Sequence, residues 1–327
     1  MKDLLIALLL SLTLSAICGY LFIPVLTKMK ASQTILKYVE EHKAKNGTPT
    51  MGGLFFILPA SFVFLIFGGY KSSSALVSLS IGLAFMLVGF LDDFIKIKCK
   101  KNEGLKPYQK IMFQVAIAFI AGFYAYENGC TVFYLPFSVS KIELGVFTIP
   151  IIAVIFIAIT NSVNLTDGLD GLAGQVSWVY LIFISLLTFV QYESLSVIYL
   201  DLEQYHYLNL LSFSLVGSIW AFLVFNVNKA RVFMGDTGSL ALGGFIGAIS
   251  IFSLNSFFIP LIGIMFVLSS ISVIMQVCYY KKTKKRIFLM APLHHHFQLR
   301  GYTEAQIGYC YSLITAIFGV ACIIPYM

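Results

Sequence analysis

The sequence predicts an all-α polytopic integral membrane protein with about ten transmembrane helices. Hydrophobic residues make up 59% of the 327 residues and charged residues only 11%, whereas about 25% of the residues in soluble domains are charged. Apolar stretches of about 18 residues or more, long enough to cross a bilayer as a helix, recur along the chain. No polar stretch is long enough to fold alone, so we expect a single transmembrane domain covering residues 1–327.

The apolar stretches place the helices one by one. The first, at 4–26, could pass for a signal peptide, but its apolar core is too long and its positive flank (Lys28, Lys30) follows it. We therefore expect a retained first span. Residues 128–146 alternate weakly between apolar and polar side chains, which predicts a small hairpin. The other spans are expected at 51–69, 74–91, 110–127, 147–163, 173–191, 208–226, 239–254, 257–279 and 305–325.

The positive charges predict the orientation of the spans. All of the 22 lysines and arginines except Lys2, Lys71 and Lys141 fall in the odd-numbered loops. Under the positive-inside rule these loops are cytoplasmic and both termini are extracytoplasmic. The predicted hairpin at 128–146 then lies on the extracytoplasmic side.

Two adjacent carboxylates, Asp92 and Asp93, end the third apolar stretch. An aspartate at the centre of a bilayer costs roughly 2.5–3.5 kcal/mol, so ionisable groups in spans are usually functional. We interpret the pair as part of a metal and phosphate site. The alternative is a polar helix terminus that pairs with Lys96. Neighbouring helical side chains diverge, so both carboxylates reach a common point only if the helix ends there.

Asp236 lies between two glycines, where backbone N–H groups can approach an anion. Carboxylate oxygens with phosphates and waters suit Mg²⁺, and Asp236 with Asp92 or Asp93 could provide them. The alternative is a helix N-terminus capped by Thr237 or Ser239 without a ligand.

The fifth loop contains Asp167 and Asp170, three residues apart and each followed by a glycine, so that the two can share a helical face. Asn161 and Asn164 add amide donors and acceptors, a mixture that suits a uracil or a sugar better than a metal. A polar loop that satisfies its own backbone is the alternative.

Three consecutive histidines, His294, His295 and His296, cannot easily converge on one tetrahedral zinc ion. Imidazoles that contact diphosphate or sugar oxygens are a better interpretation. The basic run at 281–286 either anchors the chain by the positive-inside rule or attracts anionic substrate and lipid.

Together, the odd-numbered loops bring aspartates, lysines, histidines and glycine-rich segments to one face of the membrane. This combination suits Mg²⁺-assisted phosphoryl transfer, in which positioning and charge neutralisation carry most of the catalysis. A site at the edge of the bilayer suggests one lipid substrate and one soluble nucleotide, and we expect the single domain to be catalytic.

The motifs resemble those of the phospho-N-acetylmuramoyl-pentapeptide-transferases, a branch of the polyprenyl-phosphate N-acetylhexosamine-1-phosphate transferase superfamily. The Asp92-Asp93 pair and residues 164–172 (NLTDGLDGL) match superfamily patterns. Residues 47–53 (GTPTMGG) and 292–297 (PLHHHF) are more specific to this branch. The resemblance covers essentially the whole chain.

The resemblance implies transfer of phospho-MurNAc-pentapeptide from UDP-MurNAc-pentapeptide to undecaprenyl phosphate, which gives lipid I and UMP. It also implies ten spans in a bacterial cell membrane, an active site facing the cytoplasm, Mg²⁺ as cofactor and a homodimer. Inhibition by uridine nucleoside antibiotics is a further expectation, and no nucleic-acid partner is expected.

The resemblance also assigns roles to residues. Asp236 would be the main Mg²⁺ ligand, Asp92 the base or nucleophile, and Asp93 a support for the metal and the diphosphate. Phe233 would stack on the uracil, and Lys96 and Lys110 would lie near the phosphates. The nucleoside would be framed by Asn226, Asp170, Leu169, Gly168 and Lys45, with Thr50, Asn164, Asp167, Gln276, His294, His295 and His296 around it and the diphosphate.

One position departs from the family pattern, because Cys310 stands where the family usually has arginine. This puts a role for that arginine in doubt. Two rival functions remain open: transfer of GlcNAc-1-phosphate from UDP-GlcNAc, against which the triple histidine argues, and secondary transport of an anionic solute. Transporters bind near the bilayer midplane, whereas the ionisable residues here concentrate at one surface.

Overall fold

The computed structural model describes residues 1–28, 47–99, 104–138, 140–195, 202–227 and 229–327. Within these residues the chain is almost entirely helical, which confirms the predicted all-α class. The helices are α1 (Lys2–Lys28), α2 (Gly53–Ile66), α3 (Ser73–Cys99), α4 (Pro107–Glu127), α5 (Thr148–Thr166), α6 (Leu172–Leu195), α7 (Leu202–Asn226), α8 (Gly235–Phe252), α9 (Ile259–Ile262), α10 (Ile264–Thr283), α11 (Leu293–Gln298) and α12 (Glu304–Ile323).

Each predicted span overlaps one of the ten longer helices. Eight of the described helices are long and apolar enough to cross a membrane, namely α1, α3, α5, α6, α7, α8, α10 and α12. Helix α2 is apolar but only 14 residues long. The protein is therefore a polytopic membrane protein, and the count of ten spans stays a prediction.

The predicted hairpin is present. Strands β1 (Val132–Tyr134) and β2 (Lys141–Glu143) pair antiparallel, with Val132 opposite Glu143. The Tyr134 amide also donates to the Leu254 carbonyl (3.0 Å), so the hairpin is tied to the chain that follows α8.

Helix α8 is the centre of the fold, since every residue from Thr237 to Phe252 is buried. Small residues let other helices approach it closely. A Cβ on Gly89 of α3 would overlap the Asp236 backbone, and a Cβ on Gly53 of α2 would lie 2.5 Å from the Gly238 Cα. These two glycine contacts bring the start of α2 and the C-terminal half of α3 against the first turn of α8.

Two local predictions were wrong, and the alternative of a helix cap at Thr237 or Ser239 is not observed. Helix α3 does not end at the aspartate pair but continues to Cys99, because Lys96 and the packing against α8 stabilise a further turn and a half. Asp167 and Asp170 lie in the turn between α5 and α6 rather than on a helical face. Helix α8 begins at Gly235 without a side-chain cap, and the Thr237 hydroxyl instead donates to Asp93.

Candidate active site

Three carboxylates meet where α3 crosses the start of α8. Asp92 and Asp93 come from α3 and Asp236 from the first turn of α8, and one oxygen from each lies within 4.8 Å of the others. Asp92 is 3% exposed and Asp93 is fully buried. The absence of a side chain at Gly89, one turn before Asp92, allows this approach. The structure thus brings together all three predicted metal ligands.

Two predicted lysines neutralise most of this charge. Lys96 Nζ lies 2.6 Å from Asp92 Oδ2, 3.1 Å from Asp236 Oδ2 and 3.8 Å from Asp93 Oδ1. Lys110 Nζ of α4 lies 2.8 Å from Asp236 Oδ2. Because three carboxylates face two ammonium groups, the cluster keeps a net negative charge that favours a further cation.

Each carboxylate is oriented by a neutral donor. The Leu105 backbone N–H donates to Asp92 Oδ1 (2.8 Å). The Thr237 backbone N–H (2.9 Å) and hydroxyl (2.7 Å) donate to Asp93 Oδ2. Asn164 Nδ2 donates to Asp236 Oδ1 (2.7 Å). The backbone donors at 105 and 237 were not expected from the sequence, because a backbone N–H carries no residue-specific signal, and the sequence indicated the Thr237 hydroxyl only as a helix cap.

Whereas Asp93 Oδ2 accepts two hydrogen bonds from Thr237, Asp93 Oδ1 accepts none from a described residue. The Oδ1 atom is buried, and the Lys96 ammonium is 3.8 Å away. A buried, unpaired carboxylate oxygen is costly unless a ligand completes it. Carboxylate oxygens are the donors that Mg²⁺ prefers, so the cluster fits a bound divalent cation.

The turn between α5 and α6 is a meeting point of several elements. Asp170 Oδ2 accepts from the Ala230 N–H (2.9 Å), and the Asp170 N–H donates to Glu304 Oε2 of α12 (2.7 Å). The Gly171 N–H donates to Asn226 Oδ1 (2.8 Å), and Asn226 Nδ2 donates to the Val232 carbonyl (2.8 Å). Leu169 in the same turn is buried. Asp170 and Asn226 therefore hold the loops together.

Asp167 begins this turn. Burial, followed by the nearby carboxylates of Asp236, Asp93 and Asp170, raises the pKa of Asp167 well above its usual range. No hydrogen bond or ion pair to a described residue offsets this at the side chain. A carboxylate held in this way is poised for a cationic or hydrogen-bonding ligand.

Helix α11 carries the three histidines to the same turn. A Cβ on Gly168 would overlap the His294 imidazole and would lie 3.0 Å from His295 Nε2. His294 is fully buried, and neither ring nitrogen has a partner among the described residues. Burial, with His295 close by, lowers the pKa of His294 well below its ordinary value. His294 is therefore neutral near pH 7 and faces the turn through Gly168.

Thr50 and Phe233 lie on two loops that pair with each other. The Phe233 N–H donates to the Pro49 carbonyl (2.8 Å), and the Gly52 N–H donates to the Phe233 carbonyl (2.9 Å). Thr50 Oγ1 is buried without a described partner, and a Cβ on Gly235 would lie 2.6 Å from it. Thr50 is thus next to the carboxylate cluster.

Other predicted residues bond to the loop before α11. Gln276 Oε1 accepts from the Ile287 and Phe288 backbone N–H groups (3.0 Å each), and His296 Nδ1 accepts from the Leu289 N–H (3.1 Å). Neither side chain bonds to a carboxylate of the cluster. Lys45 lies outside the described residues.

The fold and the site define a helical membrane protein whose cluster of carboxylates and lysines suits metal-assisted phosphoryl transfer. The Glycosyl transferase family 4 model matches residues 75–254, and the Phospho-N-acetylmuramoyl-pentapeptide-transferase signature 1 matches residues 45–57. These matches include all three carboxylates and Thr50.

Curated relatives cover nearly the whole chain. A phospho-N-acetylmuramoyl-pentapeptide-transferase of Clostridium botulinum (strain Alaska E43 / Type E3) is 40% identical over 323 residues, 98% of this chain and 95% of the relative. Enzymes of the same name from Clostridioides difficile (strain 630) and Desulfitobacterium hafniense (strain DSM 10664 / DCB-2) are 42% and 41% identical, over 92% and 97% of this chain and 91% and 96% of theirs. The chain belongs to the phospho-N-acetylmuramoyl-pentapeptide-transferase family, and it is a multi-pass bacterial membrane protein.

Proposed function

We propose that the protein transfers phospho-MurNAc-pentapeptide from UDP-MurNAc-pentapeptide to undecaprenyl phosphate, which gives lipid I and UMP in peptidoglycan synthesis. The names of the curated relatives support this reaction type. The observation that carries the proposal is the convergence of Asp92, Asp93 and Asp236 on Lys96 and Lys110. With a divalent cation held by the carboxylates, this site would provide charge neutralisation for two anionic substrates.

The reaction is a displacement at phosphorus. An oxygen of the lipid phosphate attacks the β-phosphorus of the UDP-sugar, the bond from that phosphorus to the bridging oxygen breaks, and UMP leaves. Two like charges about 4 Å apart repel by roughly 1 kcal/mol in water and by about 4 kcal/mol in a partly desolvated site. Lys96 and Lys110, which are mostly buried, reduce this repulsion.

Asp236, Asp92 and Asp93 would hold Mg²⁺. Mg²⁺ bound there would neutralise charge that develops on the diphosphate oxygens. Two features support this assignment: Asp93 Oδ1 accepts no hydrogen bond from a described residue, and the cluster has a net negative charge. Asp236 is the principal candidate for the metal ligand because it is positioned by hydrogen bonds from Lys96, Lys110 and Asn164.

Asp92 acts either as the base that deprotonates the lipid phosphate or as a nucleophile that forms a phospho-aspartyl intermediate. The Leu105 N–H holds Asp92 Oδ1, so that Oδ2 faces Lys96 and the cluster. Trapping labelled sugar-phosphate on the protein without lipid favours the two-step route. Repeated failure to trap it under conditions that support turnover favours the one-step route.

The nucleotide would bind over the turn between α5 and α6. Phe233 is half-buried and its backbone is fixed by two hydrogen bonds, which suits a ring that stacks on uracil. Neutral His294 can donate to or accept from diphosphate or sugar oxygens. The remaining groups proposed to frame the nucleoside and the diphosphate are Lys45, Thr50, Asn164, Asp167, Gly168, Leu169, Asp170, Asn226, Gln276, His295 and His296.

We further propose that the site faces the cytoplasm, with both termini on the opposite side, because the site residues belong to, or adjoin in sequence, the loops that carry most of the lysines and arginines. A homodimer and inhibition by uridine nucleoside antibiotics are parts of the same proposal. They rest on membership of the family.

UMP release tests the function. We expect release from UDP-MurNAc-pentapeptide only when undecaprenyl phosphate and Mg²⁺ are both present. Release without the lipid phosphate would contradict the displacement. Faster turnover of UDP-GlcNAc would favour the sister GlcNAc-1-phosphate transferases, and solute uptake without UMP release would favour a transporter.

A further inference from the structure

A pair of amide side chains, one fully buried and one partly buried, joins α4 to α5. Asn161 Nδ2 donates to Gln114 Oε1 (2.8 Å) and also to the Ile157 carbonyl (2.7 Å). Gln114 is fully buried, and its Nε2 has no partner among the described residues. Neither amide bonds to Asp92, Asp93 or Asp236.

The pair lies one helical turn from the two groups that hold Asp236. Gln114 follows Lys110 by four residues on α4, and Asn161 precedes Asn164 by three on α5, so each pair shares a helix face. Lys110 bonds to Asp236 Oδ2 (2.8 Å) and Asn164 bonds to Asp236 Oδ1 (2.7 Å). Opposite oxygens of one carboxylate are therefore held from two different helices. Those helices are fastened to each other by Gln114 and Asn161.

This arrangement explains why polar groups are kept inside the helix pair. Two apolar side chains would pack α4 against α5 without the cost of an unpaired amide N–H, which is about 1–3 kcal/mol in protein mutational data. A hydrogen bond between the helices, unlike apolar packing, fixes their axial register to within a fraction of an ångström. Register is what Lys110 and Asn164 need in order to reach the same carboxylate.

We propose that Gln114 and Asn161 are positioning residues that hold Lys110 and Asn164 on Asp236 and so preorganise the cation-binding carboxylates. This inference rests on the function proposed above, since it concerns the Mg²⁺ site of that reaction. It assigns to Asn161 a structural partner instead of the contact with uracil or sugar that the sequence suggested.

The test is an Mg²⁺ titration of thermal unfolding in the purified full-length protein without substrates. Gln114→Met keeps the side-chain volume but removes the acceptor, and we expect the Mg²⁺ concentration for half-maximal stabilisation to rise about fivefold, the equivalent of one hydrogen bond. We expect kcat to fall by a similar factor while KM for UDP-MurNAc-pentapeptide stays unchanged. The double variant Gln114→Asn with Asn161→Gln exchanges the two amides and should restore both values.

Tyr180→Phe is the matched control. It removes another buried hydrogen bond between helices, from Tyr180 of α6 to Ser250 Oγ (2.7 Å), about 20 Å along α8 from Asp236. This variant should lower the melting temperature without moving the Mg²⁺ midpoint. If Gln114→Met does not fold, Gln114→Asn alone shortens the amide by one methylene and should give the same shift.

Two failures can be told apart. A wild-type protein that Mg²⁺ does not stabilise, or that releases no UMP, overturns the proposed function. If Mg²⁺ stabilises the wild type, and a folded Gln114 variant has the same Mg²⁺ midpoint and the same kcat as the wild type, only the positioning role is overturned. A midpoint that shifts equally in Tyr180→Phe also overturns it, because the effect would then follow from general destabilisation.

Discussion

Replacing Asp236 by asparagine removes the negative charge of a carboxylate that bonds to three side chains of the site. In the wild type, Asp236 Oδ2 lies 3.1 Å from Lys96 Nζ and 2.8 Å from Lys110 Nζ, while Oδ1 accepts from Asn164. Asparagine has the same shape, so the Asn164 bond can persist. Its NH₂ group would then face the Lys96 and Lys110 ammonium groups without the negative charge that Asp236 supplies. The net negative charge of the cluster would fall to zero.

The magnitude follows from these distances. Two unit charges about 4 Å apart in a partly desolvated site interact by about 4 kcal/mol. Since each 1.36 kcal/mol changes a rate tenfold, the loss of that stabilisation should reduce turnover about 1000-fold. Removing one partner of a buried ion pair costs about 3–5 kcal/mol of stability, but Lys96 and Lys110 keep 16–17% exposure. We therefore expect a smaller loss, and a folded variant.

The assay is UMP release from UDP-MurNAc-pentapeptide in detergent with undecaprenyl phosphate, with thermal unfolding measured in parallel. Glu143→Gln is the control, because Glu143 is an exposed acid on the hairpin strand β2, and its turnover should be unchanged. A folded Asp236→Asn protein with turnover within about tenfold of wild type would refute the reasoning, since charge at Asp236 would then contribute at most about 1.4 kcal/mol.

Three further predictions concern the surroundings of the cluster. Asp167→Asn should raise the melting temperature at about pH 8, since burial raises the pKa of Asp167 in the folded state above that of the unfolded chain, so that folding at this pH must either protonate the carboxyl or bury its charge. The gain should vanish below about pH 4, where the wild-type carboxyl is protonated in both states, and an equal gain at both pH values would contradict this. Gly89→Ala should destabilise the fold by about 1–3 kcal/mol and reduce UMP release, because its Cβ would overlap the Asp236 backbone. Chemical denaturation measures the loss of stability, and a denaturation midpoint equal to that of the wild type would exclude the close contact. Glu304→Ala should raise KM for the UDP-sugar about tenfold with kcat little changed, since the Glu304 carboxylate accepts the hydrogen bond of the Asp170 N–H. Glu304→Gln, which keeps an acceptor, should stay near wild type. Equal effects of the two variants would contradict a role of Glu304 in positioning Asp170.

Composition and apolar length predict most of this fold. Bilayer thickness sets a minimum helix length, so each apolar stretch becomes a helix regardless of its partners. The same rule cannot place a helix end that is polar. Helix α3 continues past Asp93, where Lys96 lies one turn beyond Asp92 and pairs with it, and Lys96 also pairs with Asp236 of α8, a contact that the sequence does not show.

The carboxylates of the site were predictable because charged residues are rare in this chain and each one in an apolar segment stands out. Their supports were not. The Leu105 N–H is a backbone group, and Glu304 lies 134 residues from Asp170 in the sequence. Gln114 is one of two glutamines in α4, and its significance follows only from the position of Asn161 on the neighbouring helix.

The most direct measurement of the central idea is anomalous scattering from Mn²⁺ in crystals of the protein, since Mn²⁺ takes the same oxygen ligands as Mg²⁺. We predict one peak between α3 and α8, about 2.0–2.2 Å from an oxygen of Asp236 and within reach of Asp92 or Asp93, and its loss in Asp236→Asn. A peak elsewhere in the molecule, or an unchanged peak in that variant, would show that these three carboxylates are not the metal site.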